Sequence, residues 1–106
     1  MFLGKEVRVF LKGQAREAYA ELQRRDDKES AALLASFERV KELLKENPQY
    51  GDPIRKALIP RRFLKEGIQN LYRVELAHYW RLLYTLEGTH IEILVFVLTI
   101  ASHIGV

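Results

Sequence analysis

Apolar and polar residues alternate at the start of the chain, and this period of two predicts a β-strand over residues 5–11. The apolar spacing then lengthens to that of an amphipathic helix over residues 14–25. A second helix is expected after Asp26, which forms a capping-box pattern with Glu29. Its apolar stripe consists of Leu33, Phe37, Val40 and Leu44. Pro48 ends this helix, because the residue before a proline avoids the helical conformation.

A long connection follows over residues 48–70, with proline and glycine at five positions. A short strand or turn is expected near residues 62–65. Connections of this length are uncommon in small domains and are often functional. This connection carries five basic residues, which we call the basic segment: Arg55, Lys56, Arg61, Arg62 and Lys65.

From residue 71 onward the pattern is typical of β-strands, which are expected over residues 71–76, 80–86 and 90–101. A three-residue loop over residues 77–79 places Leu76 opposite Trp80 and Glu75 opposite Arg81. In this register one face is apolar and carries Tyr72, Val74, Leu76, Trp80, Leu82, Tyr84 and Leu86. The other face carries Leu71, Arg73, Glu75, Arg81, Leu83 and Thr85. A slip of one residue would mix the two sets.

The element order β-α-α-β-β-β predicts an α+β fold that occupies residues 1–106 as one domain. Two N-terminal helices should pack on the apolar face of a curved, mainly antiparallel, four-stranded sheet. The opposite face is then expected to stay open and to carry the arginines.

The charge of the chain is concentrated in one region. The 106 residues include 17 Lys and Arg against 14 Asp and Glu, a net charge of +3. Residues 55–81 alone hold seven basic and two acidic side chains, a net charge of +5. This local excess, rather than the total, indicates an anionic partner.

Several classes of site are excluded or not expected. Without cysteine, the chain has no disulfide, thiolate zinc site or cysteine nucleophile. The three scattered histidines do not predict a metal site, and no motif predicts a cofactor. The most apolar run, residues 93–101, is too short to span a bilayer as a helix. The first residues do not resemble a signal peptide, so a cytoplasmic location and no membrane partner are expected.

The element order resembles that of the RelE/ParE toxin superfamily, most closely its archaeal-type RelE members. The strings that carry the resemblance are Asn70-Leu71-Tyr72-Arg73, Trp80-Arg81-Leu82-Leu83-Tyr84 and Ser102-His103 after an apolar strand. The resemblance implies a toxin of a toxin–antitoxin pair that cleaves mRNA, on the ribosome, without a metal. It also implies a cognate antitoxin as partner.

The resemblance further implies four catalytic residues. Arg81 matches the arginine that contacts the scissile phosphate, and Arg73 matches a basic residue on the preceding strand. His103 falls where relatives carry a histidine or arginine at the end of the last strand. Glu75 replaces a lysine of the ribosome-dependent prototype, and some relatives place a glutamate nearby.

These residue types suit RNA cleavage by the 2′-hydroxyl. Glu75 would accept the hydroxyl proton, Arg73 and Arg81 would stabilise the phosphate charge, and His103 would protonate the leaving oxygen. The alternative is that Glu75 and Arg81 form only a cross-strand ion pair on a solvated face.

The basic segment is expected to contact RNA phosphates, with Tyr50, Phe63 and Tyr72 near enough to stack on bases. Core positions for Phe63 and Tyr72 are the alternative. A second class of function also stays open: a ParE-like toxin that targets gyrase, or a non-catalytic binding module. The glutamate at position 75 and the absence of a tyrosine after His103 favour this class.

Overall fold

The computed structural model describes residues 1–102. Its strands and helices are β1 (Glu6–Leu11), α1 (Gly13–Arg24), α2 (Lys28–Glu46), β2 (Asp52–Pro53), α3 (Arg61–Lys65), β3 (Tyr72–Glu75), β4 (Arg81–Gly88) and β5 (Glu92–Ala101). Short 3₁₀ turns cover Lys56–Leu58 and Ala77–Tyr79. The α+β class is therefore confirmed.

The sheet is five-stranded and mixed, with the strand order β1-β5-β4-β3-β2. β1 runs parallel to β5, and the other three pairings are antiparallel. The prediction of four strands was wrong because β2 has only two residues, too few to produce a periodic pattern. β2 pairs Asp52 with Arg73 and so extends the sheet beyond β3.

The predicted register of β3 and β4 is confirmed. Glu75 lies opposite Arg81 and Arg73 lies opposite Leu83. The loop between the strands closes where the Leu76 amide donates to the carbonyl of Trp80 at 2.7 Å. This register fixes which side chains share each face.

Both long helices pack on one face of the sheet. The predicted stripe of α2 is buried there: Leu33, Phe37, Val40 and Leu44. The start of α2 differs from the prediction, because Asp27 rather than Asp26 is the N-cap. The Asp27 carboxylate accepts hydrogen bonds from the amide and the hydroxyl of Ser30 at 2.9 and 2.8 Å.

A buried tyrosine ties the chain beyond α2 to the centre of the sheet. Tyr84 is 0% exposed, and its hydroxyl donates to the Pro48 carbonyl at 2.7 Å. The same oxygen accepts the Gly51 amide at 2.9 Å. Burial raises the pKa of Tyr84 to about 12, so the hydroxyl stays protonated and remains a donor. A Cβ on Gly51 would lie 2.9 Å from the Tyr84 ring, so this contact requires glycine.

The sequence predicts that the opposite face of the sheet is open, and this prediction was wrong. Residues 54–68 fold back over part of it and form a second apolar cluster. Its buried members are Ile59, Phe63, Leu71 and Leu83. The apolar side chains of the connection must be buried somewhere, and the helix face is already filled by α1 and α2. We call this side of the sheet the outer face.

Within residues 1–102, every helix is too short or too polar to cross a lipid bilayer.

The contacts of Tyr84 lead to a stability prediction. Tyr84→Phe removes the hydroxyl and leaves the buried Gly51 amide and Pro48 carbonyl without this partner. We expect the free energy of unfolding to fall by about 1–3 kcal/mol, measured by urea denaturation. Tyr79→Phe is the matched control, because Tyr79 is 90% exposed and should not change stability. Equal midpoints for the two variants would contradict the role of the hydroxyl.

The cap of α2 leads to a second prediction. Asp27→Ala should lower the melting temperature by a few degrees, whereas Asp26→Ala should not, because only Asp27 caps the helix. Hydrogen bonds from the Ser30 amide and hydroxyl lower the pKa of Asp27. The folded pKa then lies below the unfolded one, so this stabilisation is present at neutral pH and is lost on acidification. The two variants should therefore differ at pH 7 and converge at low pH in thermal scans.

Candidate functional site

Three of the four predicted catalytic residues lie together on the outer face. We call Arg73, Glu75 and Arg81 the Arg–Glu cluster. Arg73 and Glu75 are two residues apart on β3 and so point to the same side. Arg81 Nη2 lies 3.8 Å from Glu75 Oε1. The cluster combines two positive charges with one negative charge on a surface that water can reach.

The exposure of the cluster differs among its members. The Glu75 side chain is 68% exposed, whereas that of Arg81 is 35% exposed. Arg73 is half-buried, with β2 on one side and β4 on the other. Glu75 is therefore accessible to a ligand, and Arg81 is held against the sheet. An ion pair with this much exposure contributes little to stability.

His103 lies outside the described residues. The last described strand ends at Ala101, which lies opposite Arg81 in the β4–β5 register. Among residues 1–102, the acidic and histidine side chains form no group of three that could hold a metal ion.

The basic segment is exposed at all five of its cations. It stays ordered because Ile59 and Phe63 insert into the outer apolar cluster and anchor α3 on the sheet. Arg61, Arg62 and Lys65 remain on the solvent side of this short helix. None of the five cations forms an ion pair with a carboxylate among residues 1–102. The segment is therefore a patch of positive charge that is anchored on the sheet by Ile59 and Phe63.

The predicted stacking residues have mostly structural roles. Phe63 is buried in the outer cluster, and the Arg62 guanidinium covers its ring at 4.6 Å. Tyr72 lies on the helix face and stacks on Tyr84, with ring centroids 5.0 Å apart. The core alternative is thus correct for both. Tyr50 is 47% exposed and stays accessible to a ligand.

A groove of about 910 Å³ runs between α3 and the outer face of β4 and β5. We call it the outer groove. Its charged lining residues are Lys12, Arg62, Glu66 and Glu87. Phe96 and Leu98 contribute apolar surface. This mixture of both charge signs and apolar surface suits a ligand with polar edges and a flat apolar face.

An aromatic pair at the edge of the groove was missed from the sequence. Phe10 on β1 lies opposite Phe96 on β5, and their ring centroids are 5.6 Å apart. Arg8 lies over the Phe10 ring at 5.3 Å, and Lys12 lies over the Phe96 ring at 4.3 Å. The alternation Arg8-Phe10-Lys12 on the polar side of the first strand was the available signal. Rings bordered by cations are typical of surfaces that bind single-stranded nucleic acids.

Two side-chain amides hold the walls of the groove. Asn70 accepts the Leu86 amide at 2.8 Å and donates to the Leu86 carbonyl at 3.0 Å. Gln14 likewise accepts a hydrogen bond from the Ile100 amide at 2.8 Å and donates one to the Ile100 carbonyl at 2.9 Å. Both amides continue the hydrogen bonding of the sheet beside the end of a strand, and both residues line the groove.

Comparisons with family models, curated proteins and solved structures returned no match to this chain.

Proposed function

We propose that this chain is a RelE-like toxin domain that binds single-stranded RNA across its outer face and cleaves it without a metal. One observation carries the proposal. Arg73, Glu75 and Arg81 share an accessible surface of β3 and β4, on the sheet face that also anchors the basic segment. The strand-helix-helix start and the three final strands of the expected order are also present, with β2 and α3 between them.

Each residue of the cluster has one role in the proposed reaction. Glu75 removes the proton from the 2′-hydroxyl, and the 2′-oxygen attacks the adjacent phosphorus. Arg73 and Arg81 stabilise the charge that develops on the phosphate oxygens, for which the planar guanidinium is well suited. The bond from phosphorus to the 5′-oxygen breaks, and His103 protonates that oxygen. The products are a 2′,3′-cyclic phosphate and a 5′-hydroxyl.

The basic segment supplies most of the binding. Its five unpaired cations contact phosphates, which position the strand without reading its sequence. Leu83, two residues along β4 from Arg81, belongs to the same apolar cluster as Phe63 of α3, and on this basis we place the cations on the same sheet face as the proposed cleavage site. The substrate is mRNA on the ribosome, the compartment is the cytoplasm, and a cognate antitoxin covers the outer face or the helices.

A second candidate function is favoured by the contact between Glu75 and Arg81. A separation of 3.8 Å between Arg81 and a largely exposed Glu75 carboxylate is equally typical of a cross-strand ion pair that has no catalytic role. In that case the outer face binds without cleaving. The chain would then be a ParE-like toxin acting on gyrase or a binding module.

The proposed reaction predicts the effects of two substitutions. Arg81→Ala should lower RNA cleavage about 100-fold or more, and Glu75→Gln should lower it by a similar factor. The measurement is cleavage of a labelled mRNA by the purified chain, with and without ribosomes, and growth arrest with mRNA loss on expression. Arg39→Ala on α2 is the matched control, since Arg39 is equally charged but lies on an exposed helix position.

Three outcomes distinguish the candidates. Loss of cleavage in both variants, with unfolding free energies within about 1 kcal/mol of the parent, supports the ribonuclease. Growth arrest that persists in Arg81→Ala with intact mRNA indicates a different target such as gyrase. RNA binding without cleavage by the parent chain indicates a binding module.

The basic segment makes a separate prediction about binding. The logarithm of the RNA association constant should fall linearly with the logarithm of salt concentration, with a slope of about −0.7 per phosphate contact. Replacing Arg61, Arg62 and Lys65 by alanine should make the slope shallower by about 2. The matched control replaces Arg16, Arg24 and Arg39 on the helices, and it should leave the slope unchanged. Equal slopes for both triple variants in fluorescence anisotropy titrations would place the RNA elsewhere.

A further inference from the structure

The two edges of the sheet differ in how well they are protected. β2 forms one edge with two residues, and one of them, Pro53, has no amide hydrogen to donate. β1 forms the other edge with six residues, and no strand among residues 1–102 pairs with its outer side. A free edge of this length is a template for another strand.

The hydrogen bonds between β1 and β5 show which backbone groups are free. Glu6 donates its amide to Ile91 at 3.2 Å, and Lys12 donates to Val97 at 2.9 Å. In a parallel ladder a residue turns its amide and its carbonyl to the same side, and the side alternates along the strand. The even-numbered residues of β1 therefore face β5. Val7, Val9 and Leu11 present their amides and carbonyls to the open edge.

We propose that β1 pairs with β1 of a second copy of this chain, antiparallel and centred on Val9. Val9 then lies opposite the second copy's Val9, and Val7 lies opposite the second copy's Leu11. Every outward-facing residue becomes part of a hydrogen-bonded pair, in which two amide-to-carbonyl bonds are exchanged. The two sheets join into one about a two-fold axis, which is the commonest symmetry of dimers.

The side chains of this register are self-complementary on both faces. On the outer face, Glu6 lies opposite the second copy's Lys12, and Arg8 lies opposite the second copy's Phe10. Opposite charges and a cation against a ring both stabilise cross-strand pairs. Lys12 can take part because its backbone is still extended, with φ −128° and ψ 150°. On the helix face all the paired side chains are valine or leucine.

Neighbouring registers lack this complementarity. A pairing centred on Arg8 places the two Arg8 side chains against each other and leaves Leu11 opposite Lys5. A pairing centred on Phe10 places Arg8 opposite the second copy's Lys12. Like charges directly opposite each other destabilise a sheet. A slip by one residue would bring side chains of different faces together.

The proposed interface also covers exposed apolar surface. Phe10 is 37% exposed, and Val9 and Leu11 are only half-buried although they lie on the apolar, helix-facing side of β1. The Arg–Glu cluster on β3 and β4 is not part of the interface. Dimer formation is therefore independent of whether the chain cleaves RNA.

The test combines assembly state with a charge exchange. Sedimentation equilibrium of the full chain should show a dimer that dissociates on dilution. Glu6→Lys should place lysine against Lys12, and Lys12→Glu should place glutamate against Glu6. Each single variant should raise the dissociation constant about tenfold or more, because the contact occurs twice. The double variant Glu6→Lys with Lys12→Glu should restore dimerisation.

Amide hydrogen exchange gives a second measurement. The amides of Val7, Val9 and Leu11 should exchange rapidly in dilute protein and become protected as the concentration rises. Those of Arg8 and Phe10, which face β5, should be protected at every concentration. A monomer throughout the range would overturn the proposal, as would a dimer that is insensitive to the charge exchange. Unchanged circular dichroism in the variants excludes misfolding as the cause.

Discussion

The structure depends on the hydroxyl of Tyr84, which holds two backbone groups of the segment after α2 at the centre of the sheet. Because this oxygen is fully buried and stays protonated, Pro48 and Gly51 have one position available to them. The chain then leaves the helix face at β2 and must cross to the outer face. That crossing places α3 on the outer face, where Phe63 packs with Leu83 of β4. The Tyr84 hydroxyl therefore holds the point from which the chain crosses to the outer face.

The fold was predictable wherever an element has an apolar face and a polar face that the residue pattern can distinguish. The β3–β4 register followed from the requirement that Leu76 and Trp80 share an apolar face, and the structure has that register. The stripe of α2 was predictable for the same reason. β2 and α3 were not, because two strand residues or one helical turn contain no measurable period. The burial of Phe63 is decided by tertiary packing, since its neighbours in sequence are all polar or exposed.

The candidate site also combines features that local sequence patterns predict with features that depend on contacts between distant segments. The grouping of Arg73, Glu75 and Arg81 follows from local strand pairing, which sequence reasoning can reach. The pairing of Phe10 with Phe96 joins the two ends of the chain in a parallel ladder, and no local pattern specifies such a contact. The outer groove has the same origin, because its walls come from the start of α1, the end of α3 and two strands. Charge could be located from composition, whereas the shape that receives a ligand could not.

The parallel contact of β1 with β5 has a consequence for how the chain folds during synthesis. Among residues 1–102, β1 is the first strand in chain order, and its hydrogen-bonded neighbour in the sheet, β5, is the last. Contacts of such high sequence separation are slow to form. β1 must therefore wait for β5 before its ladder can form. The helices that follow β1 are nearer in sequence, and α2 packs on β1 in the finished domain, so this contact can form before β5 is complete.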